Sequence, residues 1–105
     1  MGPELLHVDT RDTATETVIT LDGEFDFSTA ESFGAFFGAV VEKHPTRIAI
    51  DTRGLSYMDS SGLRSLLVAR ASAGDAGVGF RIDNAPPQLR HLVERMGLRP
   101  LLFDE

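Results

Sequence analysis

The segment GLSYMDSSGLRSLL, residues 54–67, joins a predicted strand to a predicted helix. The apolar run Ile48–Ile50 before it is typical of a buried strand. After it, apolar side chains recur at the spacing of one helix face, at Leu63, Leu66, Leu67 and Ala71. The small polar residues 59–62 between the two elements suit a helix start, because Asp and Ser side chains can accept hydrogen bonds from the free N–H groups of the first turn.

The hydroxyl groups of Ser60 and Ser61 are therefore expected at the N-terminus of this helix. The free backbone N–H groups and the helix dipole favour negative charge there, so a serine that carries a phosphate would be well accommodated. Taken alone, the sequence Asp59-Ser60-Ser61 favours a plain N-cap over a modification site. The rest of the chain must decide between a plain N-cap and a modification site.

The composition predicts one globular domain that binds neither nucleic acid nor membrane. The chain has 105 residues, enough for one hydrophobic core and too few for two, and 42% are apolar and 25% charged. Its net charge is −6, and Lys and Arg form no cluster. Nucleic acid is held by Lys and Arg that neutralise its phosphates, and an anionic membrane surface also attracts basic residues.

Cysteine is absent from the chain. Disulfides, iron–sulfur clusters and thiol catalysis are therefore excluded, and His and carboxylate side chains are the only good metal ligands left. No apolar run approaches the ~18 residues of a membrane span, and residues 1–4 lack the character of a signal peptide. We expect a cytoplasmic protein without a cofactor.

The N-terminal part predicts a β-hairpin. Residues 5–8 read as a first strand, and the polar residues 9–16 read as a turn followed by the edge of the next strand. The β-branched run Thr17–Leu21 is the second strand, which Asp22–Glu24 closes. The short link between the two strands favours antiparallel pairing at the sheet edge.

A helix and a central strand are predicted next. Ser28 is the expected N-cap of this helix, with Glu31 completing a capping box, and Pro45 stops the helix. Arg47–Asp51 then reads as a strand that is apolar at three successive positions. Burial on both faces is typical of a central parallel strand.

The C-terminal part predicts another strand between two helices. The helix that starts at Ser60 should end at Gly74, and residues 77–82 alternate as a strand. Pro86 and Pro87 open a last helix, which Gly97 caps. The apolar face of this helix is predicted to consist of Leu89, Leu92, Val93 and Met96.

The resulting order is β-β-α-β-α-β-α, and residues 101–103 are apolar enough for a short final strand. Strand–helix–strand units of this length imply right-handed crossovers between parallel strands. The fold class is therefore α/β. We expect a single domain over residues 1–105, in which helices pack against a small mixed sheet that begins with an antiparallel hairpin.

No active site is apparent in the sequence. A hydrolase nucleophile on a strand-to-helix turn needs Gly two residues before and two after the serine, and neither Ser60 nor Ser61 has both. A catalytic triad also needs a histidine base, whereas His7, His44 and His91 are predicted surface residues of separate elements. No glycine-rich loop precedes a lysine, so we expect no enzymatic activity.

Three separated motifs resemble those of the STAS domain family, which bacterial anti-sigma factor antagonists share with the cytoplasmic domains of sulfate transporters. Asp59–Leu63, which reads DSSGL after a strand, resembles the family signature. Leu21–Ala30 resembles the stretch containing Gly-Glu-Leu-Asp that leads into the family's first helix, and Met96–Leu98 resembles its usual ending after the last long helix. The resemblance covers nearly the whole chain and implies the same small mixed sheet.

The resemblance also implies a function. In the family the first serine after the Asp is phosphorylated, which corresponds here to Ser60, with Ser61 the less favoured position. The kinase is the partner itself, an anti-sigma factor with a histidine-kinase-like ATPase domain, and a metal-dependent phosphatase of the PPM class reverses the modification. The unphosphorylated antagonist sequesters the anti-sigma factor, so that the sigma factor is released to RNA polymerase.

The resemblance further predicts a partner surface around the serine. Asp26 matches the acidic residue of the family's Gly-Glu-Leu-Asp stretch, although it could equally help to start the first helix. Phe27 would extend the docking surface if exposed and would staple the helix start if buried. Arg64 is either a solvated charge or a contact for an acidic partner. The predicted surface comprises Asp26, Phe27, Asp59, Ser61, Gly62 and Arg64.

Two hypotheses of different classes remain. The first is an antagonist that phosphorylation switches off. The second is a constitutive STAS subunit of a transporter or other regulatory complex, like the subunits that dock on the ATPase of a lipid-transport complex. The intact Ser60 and Ser61, together with Gly23–Asp26, favour the antagonist.

Overall fold

The computed structural model describes residues 5–102, which form an α/β domain and confirm the predicted fold class. Its strands are β1 Leu6–Asp12, β2 Thr17–Phe25, β3 Arg47–Met58 and β4 Gly79–Asp83. Its helices are α1 Phe27–Glu42, α2 Ser60–Asp75, α3 Pro87–Arg95 and the short α4 Arg99–Leu102.

The sheet is mixed, with the strands in the order β1-β2-β3-β4. The antiparallel pairing of β1 with β2 confirms the predicted hairpin, and β2, β3 and β4 run parallel. Two strand–helix–strand units connect the parallel strands, as their spacing predicted. The carboxyl ends of β2 and β3 are neighbours, because Phe25 pairs with Met58.

The hydrophobic core lies between the helices and one face of the sheet. Side chains of a strand alternate between its two faces, and those on the inner face, such as Ile19 and Ile50, are fully buried. Phe33 of α1, Leu66 of α2 and Val93 of α3 belong to the same buried cluster. The helices therefore gather on one side of the sheet.

The opposite face of the sheet carries polar side chains and, within residues 5–102, no helix. Strand alternation places Arg11, Thr20 and Arg81 on this face. Arg81 donates to Asp83 Oδ1 at 2.8 Å and contacts Glu16 Oε1 at 3.1 Å. These two carboxylates raise the pKa of Arg81, chiefly through the hydrogen bonds to Asp83. The ion pair with Glu16 ties β4 to the residue that precedes β2.

The strands extend beyond their predicted ends. β1 continues through residues 9–12, which were predicted as a turn, because an edge strand with one uncovered face accepts polar side chains. β2 runs to Phe25, and β3 runs to Met58 instead of Asp51. The register between β2 and β3 shifts at two places, and such irregularities break the alternation by which a strand is recognised.

The end of the chain differs from its prediction in one element. Gly97 caps α3 as expected, with φ 69° and a hydrogen bond from the Leu98 N–H to the Val93 carbonyl at 2.9 Å. The predicted final strand at 101–103 is wrong, because residues 101 and 102 belong to α4, and residue 103 lies outside the described residues. Pro100 is compatible with a helix there, since proline is accepted in a first turn.

Two predicted core positions are exposed. Ala71 faces solvent, and the inner face of α2 carries Ala69 and Ala73 in its place. These residues lie three and seven positions after Leu66, as a helical period of 3.6 requires. Met96 was predicted on the apolar face of α3, but it lies at the C-cap and is 55% exposed.

Candidate functional site: two adjacent helix starts

The N-termini of α1 and α2 lie side by side at one edge of the sheet. Phe25 ends β2 and Met58 ends β3, and the two residues are paired. One residue later, Asp26 caps α1 and Asp59 caps α2. The Asp59 N–H also reaches the Phe25 carbonyl at 3.4 Å. Parallel pairing of the two strands therefore brings together the two motifs that the sequence separates by about thirty residues.

Asp59 holds the start of α2 through its side chain. Its Oδ1 accepts hydrogen bonds from the N–H groups of Ser61 at 2.8 Å and Gly62 at 3.2 Å. This is the predicted N-cap, and it leaves the hydroxyl of Ser60 without a hydrogen bond to any described residue. Ser60 is exposed as the first residue of α2, whereas Ser61 is half-buried.

Asp26, in place of the predicted Ser28, caps α1. The Asp26 Oδ1 accepts hydrogen bonds from the Ser28 hydroxyl at 2.7 Å and the Ser28 N–H at 2.9 Å. The Asp26 N–H in turn donates to Thr29 Oγ1 at 3.0 Å, so Thr29 takes the capping-box role predicted for Glu31. A carboxylate two residues upstream outcompetes the serine as cap, and α1 consequently begins at Phe27.

The early start of α1 puts an aromatic ring in solvent beside the two caps. Phe27 is the first residue of α1, and its side chain is 82% exposed. Of the two alternatives predicted for this ring, exposed or buried against the helix start, the structure therefore shows the exposed one. Tyr57 lies two residues before the Asp59 cap and is 46% exposed. Met58 is buried, as methionine side chains often are. Arg64 lies one turn into α2 and is exposed.

Gly62 is buried and brings α2 against the end of β2. A Cβ atom at this position would lie 2.3 Å from the Phe25 carbonyl oxygen and 3.1 Å from the Phe25 ring carbon Cγ. The Phe25 ring packs in turn on Phe33 of α1, with centroids 4.9 Å apart. Gly62 therefore shapes the site by fixing the position of α2, and its atoms are not available to a partner.

A substitution of Asp26 by Asn tests the charged cap. The hydrogen bonds that Asp26 accepts, chiefly the one from the Ser28 hydroxyl, lower the pKa of this carboxyl group. A lowered pKa in the folded state stabilises the fold at neutral pH, and that stabilisation is lost as the pH falls through the folded pKa. We expect the wild-type protein to melt at a higher temperature than Asp26→Asn at pH 7, with a smaller difference near pH 3. A difference that is the same at both pH values in thermal melts would contradict this role.

Met96 and Leu98 lie near the serine, a position that was not predicted from the sequence. Both residues lie with Ser60 and Arg64 along one surface groove between α2 and the turn after α3. The sequence around Met96 gives little indication of this position, because Met96 fits the apolar period of α3 and cannot be distinguished by sequence from a core residue. In addition, Gln88 Nε2 donates to the Met58 carbonyl at 2.9 Å, which ties the start of α3 to the end of β3.

Two other kinds of feature are absent from residues 5–102. No helix in this range has the length and apolar character needed to cross a membrane. In the same range, no group of three His, Asp or Glu side chains is arranged to hold a metal ion.

The chain matches known proteins over nearly its whole length. The family model described as Mlab, STAS domain, covers residues 8–102. An anti-sigma F factor antagonist of Lysinibacillus sphaericus is 35% identical over 101 residues, which cover 94% of this chain and 83% of that protein.

Solved structures share the fold at higher than 25% identity. An anti-sigma factor antagonist from Mycobacterium paratuberculosis has a TM-score of 0.85 at 26% identity, and the match covers 96% of this chain and 86% of that one. The Bacillus cell fate determinant SpoIIAA in its phosphorylated form has a TM-score of 0.71 at 27% identity, with 95% and 90% covered. The chain belongs to the STAS domain family, and its relatives in that family include anti-sigma factor antagonists.

Proposed function

We propose that this protein is an anti-sigma factor antagonist that phosphorylation of Ser60 switches off. In its unphosphorylated state it binds an anti-sigma factor with serine kinase activity, so that a sigma factor is released in the cytoplasm. The bound kinase transfers a phosphoryl group from ATP to the Ser60 hydroxyl, and a PPM-class phosphatase removes it by hydrolysis. The protein itself is a substrate and a binding partner, and it supplies no catalytic group.

The observation that carries this proposal is the state of the Ser60 hydroxyl. Ser60 is exposed and makes no hydrogen bond to any residue in the described range, because Asp59 alone caps the first turn. A kinase can reach this oxygen without unfolding the helix. The half-buried position of Ser61 makes it the poorer acceptor, which supports the preference for Ser60.

The surroundings of Ser60 supply a surface for a protein partner. The exposed ring of Phe27 and the carboxyl group of Asp26 lie on the adjacent helix start, and Arg64 lies one turn along α2. Aromatic and arginine side chains are the residues most often found at the energetic centre of an interface. The proposed partner surface therefore consists of Asp26, Phe27, Asp59, Ser61 and Arg64 around Ser60, with Gly62 buried beneath.

A constitutive subunit of a larger complex is the second candidate. The family model that matches residues 8–102 is named for Mlab and not for an antagonist, which supports this candidate. In such a subunit the Asp59 cap and the start of α2 would form part of a permanent interface. The two candidates differ in one measurable respect, the chemical fate of Ser60.

Incubation with a cognate anti-sigma factor and ATP is expected to add one phosphate to the chain, on Ser60. Trypsin cuts after Arg53 and Arg64, so mass spectrometry of the peptide 54–64 locates the phosphate by fragmentation. The Ser60→Ala variant should remain unmodified, and the chain with ATP but without the kinase should gain nothing.

The outcomes separate the alternatives. Phosphate confined to Ser61 would move the modification by one residue and contradict the assignment of Ser60. A partner that binds stably yet never modifies the chain would favour the constitutive subunit. Label on the chain in the absence of a kinase would contradict its non-enzymatic role.

A further inference from the structure

An apolar groove runs along α2 beside Ser60. It has a volume of about 310 Å³ and is lined by Ser60, Leu63, Arg64, Leu67, Met96 and Leu98. Four of these six side chains are apolar. Met96, one of the four, is 55% exposed. Methionine is flexible and adapts to an incoming surface, which suits it to a binding groove.

The groove has one charged group among its lining residues. Arg64 makes no ion pair with another residue in the described part of the chain. A partner that covered the groove without a compensating charge would leave a guanidinium group buried and unpaired, which is costly. The chemistry of the lining therefore calls for apolar side chains together with one carboxylate.

We propose that the anti-sigma factor docks a segment in this groove that presents an apolar side chain and a carboxylate paired with Arg64. This inference rests on the proposed function and names the contact that the partner makes. Ser60 lies on the rim, so whatever fills the groove also lies against the hydroxyl that the kinase must reach. A second copy of this chain in the groove would shield Ser60 from the kinase, whereas the kinase-bearing partner brings its own active site to it.

The groove explains how one phosphate can disrupt the whole contact. Ser60 and Arg64 are four residues apart on α2, so their side chains lie on the same helix face. A phosphate on Ser60 can pair with Arg64 and compete with the partner's carboxylate for the same guanidinium group. It also places charge at the rim of an apolar groove. The modification thereby weakens both the ionic and the apolar parts of the contact.

The test compares matched pairs of variants in titration calorimetry with the anti-sigma factor that phosphorylates Ser60. Met96→Asp should lower affinity on the order of 30-fold, the effect typical of an interface anchor. The control Val68→Asp introduces the same charge at an apolar α2 residue that is 61% exposed and does not line the groove, and it should change affinity less than about 3-fold. Arg64→Ala should weaken binding more than Arg70→Ala, which removes an exposed arginine of the same helix.

The failure of this inference is distinct from the failure of the proposed function. If wild-type protein neither binds an anti-sigma factor nor gains phosphate on Ser60, the proposed function is wrong. If wild type does both, and Met96→Asp and Arg64→Ala bind no worse than their controls, the groove is not the docking site. Circular dichroism checks that each variant is folded, and should Met96→Asp unfold, Met96→Ser takes its place with a loss of affinity still expected.

Discussion

The Ser60→Asp variant is expected to bind the anti-sigma factor some tens- to thousands-fold more weakly than the wild-type protein. A partner surface that fits a small hydroxyl at the start of α2 would meet a fixed negative charge there. Leaving a charge mispaired in an interface costs about 2–5 kcal/mol, which corresponds to that range of affinities. Ser60 is exposed, so the added charge would lie at the interface itself.

The same substitution should leave the fold intact. Negative charge near a helix N-terminus is favourable by roughly 0.3–1 kcal/mol, so the melting temperature should stay the same or rise slightly. Ser60→Ala should bind as well as wild type and resist release by ATP, because it lacks the phosphate acceptor. Calorimetric titration gives the affinity and thermal melts give the stability, so the two effects are measured separately.

A control for charge alone is available on the same helix. Ala71 is exposed on α2, well away from its start, and Ala71→Asp adds the same charge as Ser60→Asp. Binding by Ala71→Asp should match that of the wild type. Normal binding by Ser60→Asp, or a loss of binding that is due only to unfolding, would contradict the proposed mechanism of an electrostatic switch at the interface.

The Gly62→Ala variant is expected to have the largest effect on stability. The added methyl carbon would lie 2.3 Å from the Phe25 carbonyl oxygen, a distance at which something must move. Phe25 is fully buried, so it has no room to withdraw. Overpacking of this kind costs about 1–3 kcal/mol. Each kcal/mol lowers the melting temperature of a domain this size by roughly 4–8 °C.

Gly74→Ala is the matched control for this substitution. Gly74 lies near the other end of α2, and no atom lies within 4 Å of the position that its Cβ would take. The substitution should stabilise the protein by roughly 0.4–1 kcal/mol, because Ala restricts the unfolded chain more than Gly does. Thermal melts of both variants decide the question. If Gly62→Ala melts at or above the wild-type temperature, α2 does not approach β2 as closely as the structure indicates.

Most of the fold followed from local patterns in the sequence. The spacing of apolar residues and the helix caps predicted where the strands and helices lie. The order of strands and helices along the chain then predicted a mixed sheet, because short connections leave few topologies open. The extension of β3 to Met58 did not follow, since the register shifts against β2 interrupt the alternation. The start of α1 was misplaced by two residues because Asp26 and Ser28 are both good caps, and it is Asp26 that forms the capping box with Thr29.

The site was predicted less completely than the fold. The DSSGL motif indicated where α2 begins, and Asp59 caps it as expected. The exposure of Phe27 depends on where α1 begins, so it could not be read from the residue type. The position of Met96 beside Ser60 depends on how α3 packs on α2, a contact between residues far apart in sequence.

The sheet face that carries no helix among residues 5–102 offers a way to attach the protein to a sensor surface without blocking Ser60. Arg11 lies on that face and pairs with Val18, seven residues before the end of β2. At about 3.3 Å per residue, this places Arg11 roughly 23 Å along the strand from the helix starts. Because the chain contains no cysteine, Arg11→Cys would create a single thiol for a maleimide linker or dye. Every immobilised molecule would then present the same orientation to an anti-sigma factor in solution.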